Sequence, residues 1–367
     1  MKNLSIFTFC LLLFVSCAQR EEGVLVLEDI PEHSGPLFVT KAVPLSSHST
    51  PLLSNYLGAK YNKSQIWIVD KANMDAIHGF DWDGESLGSV AERGEAPSQI
   101  YNLVDFLVQE DQLVVMSNLG DEVVVYEYDF DNSVKSKAQL PFNCFAFVEN
   151  SQEGYWLYSG YNRVAGEHRL RSVSKDGKLL QSELENTFHE KMIPLGEAAF
   201  FDGDGEALFK ESFKPEVFVL KENGPKLKYT FDFGDLTVPA EFWEMEAIPG
   251  FEMIDGNGYA NFEFLAENGD YALFDIYIQK EGISRKEIVL LDKRSKKSRK
   301  LKVDRDRDGH LLSPMGIEGD QILFIAYAPH LVANKTKLEF SDEARLKVDQ
   351  VSEDDNPVII YVEIPEI

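Results

Sequence analysis

Three carboxylates at alternate positions are the first candidates for chemistry in this 367-residue chain. Asp304, Asp306 and Asp308 stand before Gly309, as the oxygen ligands of an EF-hand calcium loop do. The twelfth position of such a loop would be Met315 instead of a bidentate Glu, and two interleaved arginines offset the acidic charge. Two alternatives follow for the three aspartates: a calcium site, or an acidic turn without a metal.

Two catalytic motifs are present only in part. Ser86 lies in a G-x-S-x-G sequence, which makes a nucleophile only on a strained turn between a strand and a helix. Here Asp83-Gly84 is a hairpin signal in a strand-rich region, so the match is interpreted as a turn. His189-Glu190 lacks the second histidine of a zinc-protease helix, because position 193 is Ile193. The sequence therefore predicts no catalytic residue.

The first 17 residues have the pattern of a lipoprotein export signal. Lys2 precedes an uncharged run over residues 4–15, which is shorter than the roughly 20 residues of a membrane-spanning helix. Residues 14–17 resemble a bacterial lipobox that ends in Cys17, with Phe14 in place of the usual Leu. We predict a signal peptide over residues 1–16 and lipidation of Cys17. The alternative is an ordinary secretory signal with an incidental cysteine.

The charge and the cysteine content restrict the partners. The formal net charge is -26, and so acidic a surface repels phosphate backbones, which excludes nucleic acid as an expected partner. The one basic run, residues 293–300, is interpreted as a solvated hairpin tip, with an anion-binding patch as the alternative. Beyond the export segment only Cys144 remains, in an apolar stretch, so we expect a buried thiol and no intramolecular disulfide. We expect a monomer.

Short apolar strands bounded by Gly, Asp and Asn recur along the chain and predict an all-β fold. One strand type occurs six times, at residues 65–69, 112–116, 155–158, 207–209, 271–274 and 321–324. A following hairpin has turn centres near residues 84, 132, 177 and 224, spaced by 48, 45 and 47 residues. The next centre, near 295, comes about 71 residues later, which predicts an insertion of roughly 24 residues within 235–258.

The repeated strand occurs six times, but the following hairpin is found only five times in the sequence. The two ends of the chain are therefore expected to form the sixth hairpin. Residues 357–364 are predicted as the third strand of the last blade, and residues 36–44 as its fourth. Pairing of the first and last strands closes a ring of blades. We predict a six-bladed β-propeller of four-stranded antiparallel blades over residues 36–367, preceded by a lipidated tether over residues 17–35.

Two segments carry a resemblance to a known family. Residues 93–106 contain a glycine turn that leads into a strand with Asp105-Phe106, and residues 353–361 form a similar terminal segment. Both resemble the six-bladed β-propeller lipoproteins of Bacteroidota, described as TolB-like or NHL-like, although Glu95-Ala96 stands where that family commonly has Gly-Pro-Gly. The resemblance implies an outer-membrane or surface location. The acidic residues after Cys17 also resemble the surface-export signal of Bacteroidota lipoproteins. It implies no established reaction.

The binding surface is expected at one end of the central channel, where the loops of all blades converge. Aromatic rings beside polar donors suit sugar rings or extended peptides, and the candidates are Arg93, Tyr101, Tyr161, Asn162, Arg163, Lys210, Tyr327 and His330. We favour a non-enzymatic binding or scaffold module for a glycan, peptide or protein. The alternative is a channel-mouth hydrolase or lyase acting on glycans, which would need two carboxylates about 5 to 10 Å apart.

Replacement of Cys17 tests the predicted anchor. Cys17→Ser removes the acceptor sulfur, and each methylene of an acyl chain contributes about 0.8 kcal/mol to membrane binding. We expect the variant to leave the membrane fraction, as followed by fractionation and immunoblotting. A variant that stays in the membrane pellet at high salt would refute lipidation at Cys17.

Overall fold

Six antiparallel sheets form the six blades of a ring in the computed structural model. The structure describes residues 23–48, 50–120, 122–161, 166–186, 198–301 and 312–367. Within these residues no helix is both long enough and apolar enough to cross a membrane. The predicted six-bladed propeller is confirmed.

Twenty-six strands and three α-helices make up the described part of the chain. In chain order the strands are β1 (Val24–Val26), β2 (Leu37–Pro44), β3 (Leu57–Tyr61), β4 (Gln65–Asp70), β5 (Ile77–Asp81), β6 (Ser86–Val90), β7 (Leu103–Val108), β8 (Gln112–Leu119), β9 (Glu122–Asp129), β10 (Val134–Leu140), β11 (Ala146–Glu149), β12 (Gly154–Tyr158), β13 (His168–Ser174), β14 (Leu179–Glu185), β15 (Phe200–Asp202), β16 (Ala207–Lys210), β17 (Glu216–Lys221), β18 (Gly224–Asp232), β19 (Tyr259–Glu267), β20 (Tyr271–Lys280), β21 (Ile283–Asp292), β22 (Lys297–Leu301), β23 (Leu312–Glu318), β24 (Gln321–Ala326), β25 (Leu338–Phe340) and β26 (Val358–Glu363). The helices are α1 (Ala247–Asn257), α2 (Ala328–Asn334) and α3 (Asp342–Val348), with short 3-10 helices at Leu27–Asp29, Gly234–Leu236, Ala240–Glu244 and Lys335–Lys337.

Blades 1 to 5 each use four consecutive strands, from β3–β6 for blade 1 to β19–β22 for blade 5. Blade 6 consists of β23, β24, β26 and β2, with β25 added in parallel to β2. The six repeated strands of the sequence are the second strands of the six blades, and the five predicted hairpins join third to fourth strands. The first strands form the innermost ring, in which β3, β7, β11, β15, β19 and β23 follow one another.

The second strands are buried on both faces, which explains their nearly continuous apolar sequences. In β4, Ile66 and Ile68 pack against blade 6, whereas the alternate residues Trp67 and Val69 pack against blade 2. An equivalent cluster fills each of the six boundaries between neighbouring blades. Each blade therefore depends on both neighbours for its core.

The two ends of the chain close the ring in blade 6, as predicted. Strand β26 lies between β24 and β2, with Ala42 opposite Ile360 and Pro44 opposite Val358. Asn356 fastens the loop beside this pairing, because its Nδ2 donates to the Ser46 oxygen at 2.9 Å and its Oδ1 accepts from the Leu53 amide at 2.9 Å. These contacts join residues about 300 positions apart in the sequence.

The insertion falls where the spacing placed it, but its content was not predicted. Residues 233–258 contain two 3-10 helices and α1. Pro249 and Gly250 interrupt the helical pattern of α1 in the sequence, and Gly258 ends the helix with a positive φ of 89°.

The described part of the predicted tether lies against the propeller. Strand β1 extends blade 4 in parallel to β18, and Glu32 then pairs with Lys300 at the edge of blade 5. Leu27 and Ile30 are buried in the cluster between blades 4 and 5. The segment from residue 23 to β2, which we term the N-terminal arm, thus crosses the outer edges of blades 4 and 5 before entering blade 6.

Loss of β26 should destabilise the whole domain, because it uncovers the edges of β24 and β2 and opens the ring. We expect deletion of residues 357–367 to lower the melting temperature and the midpoint of urea unfolding in a single cooperative transition. Deletion of residues 365–367, which leaves β26 complete, is the matched control. An unchanged melting temperature in the longer deletion would contradict closure by β26.

Candidate functional site

The alternating strand directions place the connections of the blades at two opposite ends of the ring. Short turns between first and second strands and between third and fourth strands form one end, which we term the turn face (residues 62–64, 82–85, 109–111, 130–133, 150–153, 175–178, 203–206, 222–223, 268–270, 293–296 and 319–320). Longer connections form the other end, the loop face (residues 45–48, 50–56, 71–76, 91–102, 120, 141–145, 159–161, 166–167, 186, 198–199, 211–215, 233–258, 281–282, 327–337 and 349–357, with the strand residues that adjoin them).

Exposed apolar side chains are concentrated on the loop face. Thirteen large hydrophobic residues are exposed in the described chain, and seven belong to the loop face: Leu52, Tyr56, Tyr101, Leu119, Ile248, Phe251 and Ile283. Of the other six, Leu179 adjoins the turn over residues 175–178, and the rest lie in fourth strands or in α3. Exposed apolar surface of this kind is typical of binding faces.

An aromatic cap covers part of the loop face. The cap consists of the insertion, residues 233–258, and packs on blade loops through a cluster that includes Phe213, Phe242 and Ile254. The Tyr161 ring lies 4.8 Å from that of Trp243, between ring centroids. The insertion is therefore a fixed part of the face, held by edge-to-face ring contacts as well as by burial.

The predicted ligand-binding residues have different positions in the loop face. Arg93 and Tyr101 are exposed, whereas Tyr161 and Lys210 are buried behind the surface. Tyr327 and His330 are half-buried and contact each other, with ring centroids 5.3 Å apart.

Several predicted sites lie outside the described residues. These are the ligand-binding candidates Asn162 and Arg163, the predicted lipidation residue Cys17, and the calcium candidates Asp304, Asp306 and Asp308. Across the part of the chain that is described, no group of three His, Cys, Asp or Glu residues is placed to hold a metal ion.

A buried ion pair supports the loop face beneath Tyr161. Arg169 donates to both carboxylate oxygens of Glu211, at 2.7 and 3.1 Å, and its guanidinium lies 5.1 Å from the Tyr161 ring centroid. The Tyr158 hydroxyl donates to the same carboxylate at 3.1 Å; burial and then the Glu211 charge raise its pKa. Sequence analysis missed this cluster, because Arg169 and Glu211 belong to different blades and share no local pattern.

Asp105 of the family-like motif joins three blades at the innermost ring. Its carboxylate accepts from Lys60 of blade 1 at 2.8 Å and from the Phe147 amide of blade 3 at 3.3 Å. Lys60 also donates to the Phe106 oxygen at 2.6 Å. This geometry gives Asp105-Phe106 a structural role in holding neighbouring first strands together.

Blade 5 contains the carboxylate pair that most resembles an acid-base site. Lys286 Nζ lies 3.0 Å from Asp275 Oδ2 and 2.5 Å from Glu263 Oε2. Burial raises the pKa of Asp275 to about 6, although Lys286 opposes the shift. Burial disfavours the charge of Lys286, but the two carboxylates raise its pKa. Two carboxyl groups in different environments are a pattern of acid-base enzymes.

Access argues against that chemistry for the pair. Asp275 is 1% exposed, and the Lys286 ammonium lies between the two carboxylates. A glycan therefore has no path to the group with the raised pKa. The cluster thus joins three neighbouring strands within blade 5.

A closed six-bladed propeller with an apolar, capped loop face defines the class of protein. The chain belongs to the family described as a domain of unknown function (DUF4934), whose model matches residues 40–363. No curated protein matches the chain in sequence.

Two solved structures show the same fold. One is a protein of Bacteroides fragilis named as exported, with a TM-score of 0.71 and 14% identity over 90% of this chain and 99% of that one. The other is a member of the DUF4221 family from Bacteroides vulgatus, with a TM-score of 0.51 and 9% identity over 88% and 95% of the two chains. At these identities the likeness concerns the fold alone.

The raised pKa of Asp275 predicts a pH dependence of stability. Since the folded state holds this proton more tightly than the unfolded chain, the contribution of Asp275 is greatest below its ordinary pKa of 3.8 and falls as the pH rises through about 6. The free energy of unfolding of the wild type minus that of Asp275→Asn should therefore fall by up to about 3 kcal/mol between pH 4 and 7.

Urea titrations at each pH measure that difference. Asp83→Asn, in an exposed turn of blade 1, is the matched control and should show no such trend. A pH-independent difference for Asp275→Asn would contradict a raised pKa at this position.

Proposed function

We propose that this protein is a non-enzymatic, lipid-anchored binding module that captures a protein partner on its loop face. The observation that carries the proposal is the distribution of exposed apolar side chains, seven of thirteen on the loop face against one, Leu179, beside the turn face. In so acidic a propeller, apolar side chains on one end favour a partner that covers them.

The residue types favour a protein over a glycan. Four of the seven side chains are aliphatic (Leu52, Leu119, Ile248 and Ile283), and aliphatic groups supply neither the ring faces nor the polar donors that sugars need. The cap adds charge: residues 233–258 contain six acidic residues and no Lys or Arg. Ile248 and Phe251 are exposed within this acidic segment. The partner is therefore expected to combine apolar with basic side chains.

Export and anchoring are supported by three features together. Residues 1–17 have the lipoprotein signal pattern, a structurally similar protein of Bacteroides fragilis is named as exported, and the chain resembles surface lipoproteins of Bacteroidota. Five residues separate Cys17 from the N-terminal arm at Gly23, so Cys17 and Gly23 lie at most about 22 Å apart. An anchored propeller would thus lie close to the outer membrane.

Paired surface variants test the loop face. Ile248→Ser with Ile283→Ser removes two side chains that are 74% and 75% exposed, so the fold should be unaffected. The matched control is Leu227→Ser with Leu346→Ser, which changes exposed residues of blade 4 and α3. Each protein is immobilised and incubated with solubilised membranes of the source organism, and retained proteins are quantified by mass spectrometry.

The expected result is a partner that the wild type and the control retain equally and that the loop-face variant loses by about tenfold or more. Retention should also weaken with salt, because the cap is acidic. Equal retention by all three proteins would contradict the proposal. If the protein instead binds immobilised glycans, and this binding depends on Tyr56 and Tyr101, the ligand of the loop face is a saccharide and not a protein.

A further inference from the structure

A cleft on the rim of the propeller lies beside the basic run that the proposed function does not use. Its volume is about 590 Å³, and Lys296, Lys297, Ser298 and Arg299 of blade 5 form one wall. Pro31 of the N-terminal arm and residues 366–367 after β26 complete the lining. The cleft lies near the turn face, at the start of β22, and is therefore remote from the loop face.

The basic run divides into paired and unpaired cations. Three of its members are neutralised by neighbouring carboxylates, in the ion pairs Lys293–Glu267, Arg294–Asp270 and Lys300–Glu287. The three others, Lys296, Lys297 and Arg299, have no carboxylate within 4 Å among the residues described. The unpaired cations are those that line the cleft.

The local fold holds these cations together. Lys297 lies opposite Asp292 and Arg299 opposite Leu290, so both side chains are on one face of β22, two positions apart. That face is the one from which Leu301 packs against blade 6. Strand geometry therefore places Lys297 and Arg299 on the cleft side and fixes their spacing, which a flexible tail would not do.

Arg299 adds a specific requirement for an acceptor. Its Nε is buried and has no hydrogen-bond partner in the described chain. A buried N–H donor without an acceptor is unfavourable, and the guanidinium of Arg299 therefore favours an anionic oxygen as its partner. Glu366 lines the cleft too, but it forms no ion pair with the three cations within 4 Å.

We propose that this cleft binds a phosphate or sulfate group, with Lys296, Lys297 and Arg299 as its cationic ligands. Three unpaired cations in one concave site contrast with the net charge of -26 on the whole chain. The volume exceeds that of a free oxyanion and lies in the range of small-ligand sites, so the group belongs to a larger molecule.

Calorimetric titration with inorganic phosphate and with sulfate at low salt tests the site directly. We expect binding by the wild type that Arg299→Gln and Lys297→Gln each weaken by about tenfold or more. Arg294→Gln is the matched control, because Arg294 lies in the same hairpin but is paired with Asp270. Equal melting temperatures of all four proteins without ligand show that the variants are folded.

Two further arms distinguish the source of the anion. Vesicles of phosphatidylglycerol, compared with vesicles of phosphatidylcholine, probe a lipid headgroup, and a sulfated disaccharide probes a soluble ligand. Suppose that Arg299→Gln loses binding to the phosphatidylglycerol vesicles or to the disaccharide, and that Arg294→Gln retains it. This result supports the site and shows whether the bound anion belongs to a lipid headgroup or to a soluble ligand. The absence of binding by the wild type in every arm, or equal loss in the control, would overturn the proposal. The loop-face variant Ile248→Ser with Ile283→Ser must bind these anions normally, so this test fails or succeeds independently of the proposed function.

Discussion

Burial of each blade against its neighbours is the interaction on which the rest of the structure depends. No blade has a core of its own: alternate residues of a second strand such as β4 pack in opposite directions, into two different clusters. The clusters therefore form a closed series, and blade 6 completes the series only because β2 reaches β26. The stability of every blade is linked in this way to the pairing of the two chain ends.

Charged residues also connect the strands of this arrangement. Asp105 connects three blades, and Lys286 bridges Glu263 and Asp275 within blade 5. Buried charges are tolerated only when they are paired, so these clusters are best understood as parts of the wall.

The two ends of the ring differ in the length and composition of their connections. Tight turns need Asp, Asn and Gly, and they leave the turn face polar; Gly84, for example, has a φ of 88° and no room for a Cβ beside the Pro44 oxygen. The loop face has longer connections and the insertion, which are free to carry exposed apolar groups. A binding role on the loop face and an anion cleft on the rim can therefore coexist without competing for residues.

The sequence by itself determined the number of blades, the second strands, the hairpin turns and the closure by the chain ends. Those features are recorded in local patterns: two-fold alternation, turn residues and a regular spacing. Only the tertiary structure decided which loop residues are exposed, because Tyr161 and Lys210 look like surface candidates in the sequence but are buried under neighbouring elements. The Arg169–Glu211 pair, the Asp275 cluster and the rim cleft also required coordinates. Each joins residues from separate strands, and the distance between such residues depends on how blades pack, which no local pattern records.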